Sequence, residues 1–262
     1  MKPLIAPEEL PTTGRPHWRA LRVVRNEVAE ELRAVLRDPT TLFFSAAMPV
    51  GFFALFVGLW GAETDGVVTV GTAMLATFGT FGVVGVCLLT PGIGIAEDRD
   101  RGWLRVKRVS ATPLPVTLAA KVLAAVPHAL VVLLAMTAIS AATGTLHLDA
   151  VVWARLMGAL LIGGVPFALV GLTVGLLTSP NGATAVLMAL FIPSAVASGL
   201  WMPLEMLPDG VQQVAPWLPT YHLAQLALAQ MDGRVGLDHV VALLTFAALG
   251  AGAATLAYRH AR

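Results

Sequence analysis

Asp238 and His239 stand side by side at the start of the last apolar run, and such a pair can begin a metal site. A third ligand at suitable spacing is needed to complete one, and His17, His147, His222 and His260 are scattered without it. His128 follows Pro127 inside another apolar run, where an ionisable group is a functional candidate by its depth alone. A proton relay would require carboxylates near it, and the apolar runs hold none at that depth. The expectation is a neutral ring satisfied by a neighbouring helix or by water. Cys87 is the single cysteine, so an intrachain disulfide is impossible, and its apolar setting suggests a small packing residue. No nucleophile motif frames the serines. The three lysines follow Met1, Val106 and Ala120, so there is no Gly-Lys-Ser/Thr loop to hold ATP phosphates. The sequence shows no active site and predicts neither metal nor cofactor in this chain.

One cluster of reactive character remains. The segment EDRDRGWLRVKR, residues 97–108, carries eight charged side chains in twelve positions, in a chain that is 56% hydrophobic and 13% charged. It reads as a helix from about Ala96 to Ala111. Glu97, Asp98 and Asp100 would lie in its first turn and Arg105, Lys107 and Arg108 near its end. That order complements the helix dipole by about 0.3–1 kcal/mol per exposed charge. Pro113 and Pro115 would stop it. Trp103 and Val106 share one edge among the charges. A short amphipathic helix of this kind suits docking into a partner's groove, with charges steering and Trp103 as anchor. A solvated loop that merely fixes topology would need lysine and arginine only. It would leave three interleaved acids, a tryptophan and a proline stop unexplained.

The elements that must position this cluster are apolar. A mean hydropathy of +0.77 leaves too little polar surface to coat a water-soluble globule of 262 residues. A bilayer core of about 30 Å takes roughly 20 helical residues to cross. Six segments reach that length: 41–61, 67–95, 116–142, 151–177, 183–202 and 237–258. Internal prolines such as Pro49, Pro127, Pro166 and Pro193 and glycines throughout are tolerated in lipid, where neighbouring helices re-satisfy the backbone. The prediction is an all-α integral membrane protein forming one transmembrane domain over residues 1–262. Residues 1–40 lack a signal-peptide core, so insertion is expected to use the internal segments.

Orientation follows from the basic residues. Of the 17 lysines and arginines, all but Arg155 and Arg234 fall in the N-terminal tail, in the segment between the second and third spans, one turn into the third span (Lys121), or at the C-terminus. Both termini and residues 97–108 are therefore expected in the cytoplasm. The basic residues form no continuous patch, which disfavours nucleic acid as a partner. In residues 17–37, Trp18, Leu21, Val24, Val28, Leu32 and Val35 recur at helical spacing, with Arg19, Arg22, Arg25, Glu30, Arg33 and Arg37 opposite. This predicts an amphipathic helix lying in the interface before Asp38-Pro39 turns the chain inward. Residues 203–231 hold Pro203, Pro208, Pro216 and Pro219, which divide them into pieces too short to cross. They read as two short re-entrant helices, because a plain loop would expose Trp217, Tyr221 and several leucines to water.

In this order of parts the chain resembles the membrane subunit of type-2 ABC exporters. The resemblance is carried by Arg37-Asp38-Pro39, Glu97-Asp98-Arg99-Asp100-Arg101-Gly102, Thr112-Pro113, Ala120-Lys121, and Gly199-x-x-x-Pro203 with the proline-rich block after it. It implies that residues 96–112 are a coupling helix, with Glu97, Asp98, Arg99, Asp100, Arg101, Gly102 and Trp103 contacting a separate cytoplasmic ABC ATPase. Arg33, Arg37 and Asp38 would contribute to the same contact. Pro203, Pro208, Pro216, Trp217, Pro219 and Tyr221 would form an outer gate. It further implies two ATPase copies that bind ATP and Mg, a second and identical permease copy, and the cytoplasmic membrane of a prokaryote. Phe52, Phe56, Phe78 and Phe81 would line an apolar path for a drug, antibiotic or lipid-like molecule, although ordinary helix packing explains the same residues. A polysaccharide or ion exporter, or an ion-gradient-driven secondary transporter, is the alternative.

Overall fold

The computed structural model describes residues 22, 25–26, 28–30, 32–33, 36–37, 39–65, 68–103, 114–231, 233 and 236–260. Apart from turns, these residues are helical except for one hairpin with two residues per strand, β1 (Thr64–Asp65) and β2 (Val68–Thr69). In it Thr64 pairs with Thr69 and Asp65 with Val68. Six helical stretches are long and apolar enough to cross a membrane: Phe43–Trp60, Val70–Asp100, Leu118–Ala142, Ala150–Leu177, Pro180–Ala197 and Leu237–Arg259. The all-α, six-span expectation holds. Local chemistry moves the boundaries.

The first span enters through a turn, Pro39–Leu42, and a widened π turn, Phe43–Ala47, before α1 (Met48–Trp60). The widened turn lies just upstream of Pro49, whose missing N–H leaves a carbonyl without its ladder partner. The second span, α2 (Val70–Asp100), begins three residues later than the sequence suggested. The hairpin occupies the residues before it, and the Thr69 side chain accepts the Thr72 N–H as a cap. The third is α3 (Leu114–Ala142). The fourth divides at Gly164 into α4 (Ala150–Gly163) and α5 (Val165–Leu177), with Pro166 in the opening turn of α5. The fifth, α6 (Pro180–Ala197), starts and ends earlier than 183–202. The Ser179 hydroxyl accepts from the Gly182 N–H at one end, and left-handed Gly199 (φ 71°) stops it at the other. Two short helices follow, α7 (Asp209–Val214) and α8 (Pro219–Ala229), with single 3₁₀ turns at Leu204–Met206 and Ala215–Trp217. The last span is α9 (Leu237–His260).

α2 is the axis of the bundle. It packs most extensively against α5, then α3 and α6, while α9 covers α5. The α2–α5 crossing is a backbone contact. A Cβ at Gly175 would lie 2.0 Å from the Gly92 carbonyl oxygen, and one at Gly171 would lie 2.2 Å from the Leu88 carbonyl oxygen. Gly171 and Gly175 are four apart and share one face, the small-xxx-small arrangement that lets helices touch in lipid. Cys87 is buried beside the same seam, as expected of a packing residue, and its sulfur faces Gly164. At the end of the bundle away from residues 97–103, the Thr72 hydroxyl donates to the Thr145 carbonyl at 2.8 Å and accepts from the His147 N–H at 3.3 Å. This ties the start of α2 to the α3–α4 turn.

The interfacial helix expected over 17–37 lies partly outside the described residues, as does Asp38. Those described there are helical, and Arg33 donates to Glu30 at 3.4 Å.

Gly175→Ala should force α2 and α5 apart and cost about 1–3 kcal/mol, the range for overpacking a tight contact. Gly158→Ala, where nothing lies within 4 Å of the added methyl, should be neutral or slightly stabilising. Thermal unfolding of the purified variants in detergent reads the difference. Equal midpoints for the two would refute the close crossing.

Candidate functional site

The charged segment is not one helix. Ala96 to Asp100 are the last turn of α2, which closes with the Arg101 N–H on the Glu97 carbonyl (2.9 Å) and the Gly102 N–H on the Arg99 carbonyl (3.1 Å). Gly102 then turns left-handed, φ 74°, and breaks the helix before Trp103. The expected continuous helix of 96–112 is therefore corrected to a helix end and a sharp corner. Its remaining residues, Arg105, Lys107, Arg108, Thr112 and Pro113 among them, lie outside the described residues. The dipole argument changes sign with this correction. Glu97, Asp98 and Asp100 sit at a helix C-terminus, where a carboxylate is disfavoured unless cations compensate it.

Three cations are present. Lys121, two turns into α3, reaches Asp98 with Nζ 2.8 Å from Oδ2, and its side chain is only 2% exposed. Lying near the end of its span, Lys121 could snorkel to the interface. Instead it is buried in an ion pair that fastens α2 to α3. Arg99 turns the other way. One guanidinium nitrogen donates to the Leu176 carbonyl and the other to the Thr178 carbonyl at 2.7 Å, so a cation caps the C-terminus of α5. It satisfies carbonyls left open at a helix end and lies favourably in that helix's dipole. Arg101 pairs with Glu97 at 3.1 Å on an exposed face, an interaction of about 0.3–0.5 kcal/mol.

The segment thus sorts into two sets. Asp98 and Arg99 face inward and bind it to α3 and α5. Asp100, Arg101 and Trp103 are exposed, Trp103 by half of its surface. A rigid corner that holds a tryptophan and two charges outward is chemically suited to docking and has no group placed for bond-making.

The block after α6 turns back into the bundle. Thr220, Leu223, Ala224, Leu226 and Ala227 of α8 are buried, and α8 packs against α2, α4 and α9. It is latched by the Ser198 and Thr220 hydroxyls, 2.5 Å apart, and by Thr220 donating to the Ser194 carbonyl at 3.3 Å. Pro203, Pro208 and Pro216 are exposed, Pro219 opens α8, and Tyr221 is half-buried. Trp217 is 80% exposed on the protein, so packing within the chain does not shelter it as the sequence argument assumed.

The phenylalanines fall into two aromatic groups. Phe81 stacks on Phe191 at 4.7 Å and meets the edge of Trp201, which also meets Phe52; Phe78 touches Phe53 and Phe56. Phe78 and Phe81 are enclosed by the chain itself, whereas Phe52 and Phe56 are half-buried. Trp201 was not singled out from sequence, and its place after a glycine at the end of a span was the available signal.

His128 is buried, and among the described residues neither ring nitrogen has a hydrogen-bonding partner. Of the two partners expected, helix or water, the described residues of the neighbouring helices supply none. His239 does find a partner, though not the metal pair considered with Asp238. Its Nδ1 lies 2.9 Å from Nδ1 of His222, beside the Tyr221 ring. No group of three metal-ligating side chains occurs among the described residues.

A family model described as ABC-2 type transporter matches residues 25–231, which include the charged corner and the α8 block. A Bacillus subtilis (strain 168) protein named "Putative transport permease YvfS" is 26% identical over 216 residues, covering 81% of this chain and 87% of that protein.

Lys121→Met strands Asp98 in a half-closed site and should destabilise the protein by about 3 kcal/mol, the lower range for breaking a buried pair. The double variant Asp98→Leu/Lys121→Met should recover most of that loss. Denaturation midpoints of the three proteins check it; a double variant no better than the single would mean the pair is not the relevant contact.

Proposed function

This chain belongs to the ABC-2 type transporter family, and from that premise we propose that it is the permease subunit of an ATP-driven exporter of hydrophobic or amphipathic molecules. Two cytoplasmic ATPase subunits, which bind ATP and Mg, power a pair of identical permeases in the cytoplasmic membrane of a prokaryote. Both termini face the cytoplasm. The family and the six spans support a multi-pass membrane permease that works with an ATPase. Direction and stoichiometry are carried over from the family resemblance, the orientation of the termini is supported by the positive-inside charge pattern, and the cargo class by the apolar aromatic interior.

One observation carries the mechanism. The corner at Gly102 is joined to three spans at once, through its own α2, through Asp98–Lys121 to α3, and through Arg99 to the end of α5. Closure of an ATPase dimer against Asp100, Arg101 and Trp103 would then move these spans together instead of bending a loop. Arg33, Arg37 and Asp38 would flank the contact. At the far end α8 is the gate, released when its hydroxyl latch to α6 opens. Phe52 and Phe56 line the route.

Trp103→Ala removes an exposed anchor with little effect on folding. It should weaken capture of the ATPase subunit about thirtyfold, the scale of a hot-spot residue of about 2 kcal/mol. Asp100→Lys should leave ATP hydrolysis running while transport falls. Co-purification affinity, ATPase rate and uptake into inverted vesicles are the readouts. Full coupling and unchanged affinity in both variants would remove the coupling role from this corner.

A further inference from the structure

At the end of the bundle opposite the charged corner, a cavity of about 310 Å³ lies between the start of α2, the turn after α6, and α8. That volume is at the small end of sites for organic ligands. Met74, Phe78, Trp201 and Leu228 give it apolar walls. Its hydroxyls are occupied: Thr69 donates to the Thr145 carbonyl, Thr77 to the Met74 carbonyl, and Ser198 pairs with Thr220. Three lining side chains differ. Among the described residues, neither the Glu205 carboxylate nor the Gln225 amide makes a hydrogen bond or ion pair, and the buried Trp201 indole N–H has no partner; Gln212 donates to the Glu205 and Leu207 backbone carbonyls and not to the carboxylate. Glu205 is also the only ionisable residue in the lining.

A lone carboxylate beside an apolar chamber, with an uncommitted amide in the same wall, discriminates by charge. It repels anions, gains nothing from neutral hydrocarbons, and pairs with a cation whose apolar body fills the chamber. We propose that this cavity is a cargo site selective for amphipathic amines, with Glu205 holding the ammonium and Gln225 a second polar group. The inference rests on the exporter reading above and gives it a substrate class.

The test uses the permease with its ATPase partner in nanodiscs, with a dansyl-labelled alkyl amine and its N-acetylated, neutral counterpart as probes. Energy transfer from tryptophan to dansyl reports binding. The wild type should bind the amine about fivefold tighter than the neutral probe, the scale of an exposed ion pair. Glu205→Gln should equalise the two without changing the neutral probe's affinity, and Glu205→Asp should keep the preference. Equal affinities in the wild type, or a preference that survives Glu205→Gln, would overturn the site. ATP-driven movement of the probes in proteoliposomes separates the two readings. Glu205-dependent binding without transport supports the cavity and rejects the exporter, whereas transport of both probes without charge preference rejects the cavity alone.

Discussion

The crossing of α2 over α5 is the contact on which the rest of the structure depends. Lipid tails are as apolar as leucine, so helices in a bilayer gain little from hiding hydrocarbon from one another. Association must come from close fit. Here Gly92, Gly171 and Gly175 contribute no side chains of their own and bring carbonyl oxygens against the opposite backbone. Because α2 lies that close to α5, it can also touch α3 and α6, and α9 covers the far side of α5. A thicker seam would open all of these contacts together.

Electrostatics then uses the position that packing provides. Carboxylates at the end of α2 are unfavourable for that helix alone, and a buried lysine is unfavourable for α3 alone. Placed 2.8 Å apart they offset one another, and the cost of dehydration becomes a penalty on any arrangement that separates them. Arg99 adds direction, because a planar fork aimed at two successive open carbonyls fixes an angle as well as a distance. The outward charges hold no other helix in place; Arg101 makes only an exposed pair with Glu97 one turn back. This division between held and offered residues makes the corner readable as a contact surface.

Much of this was legible in the sequence. Span number and order followed from hydropathy and length, because a bilayer imposes both. The amphipathic cluster was visible by its charge density. What the sequence could not give was the partition of that cluster. Asp98 and Asp100 are the same residue type two positions apart, and only the register of α2 against α3 decides that one is enclosed and the other exposed. Gly102 was noticed as part of a motif, but a glycine does not announce a left-handed corner until its neighbours are helical. Lys121 looked like an interfacial anchor because its depth was judged from its own helix alone. Gly171-x-x-x-Gly175 was a signal present and unused: the fourth span carries its own small-residue face. Trp217 shows the opposite error, since an apolar residue near a membrane does not have to be covered by its own chain.

The Arg99 clamp has a consequence for biogenesis. Its acceptors lie 77 and 79 residues further along the chain. The second span therefore enters the bilayer with its guanidinium and its bare glycine face unmatched, and both stay so until the fourth span has left the ribosome. Lys121 emerges much earlier and can neutralise Asp98 meanwhile, holding a two-helix intermediate in register. The innermost helix of the finished bundle is thus among the first inserted and the last to be enclosed.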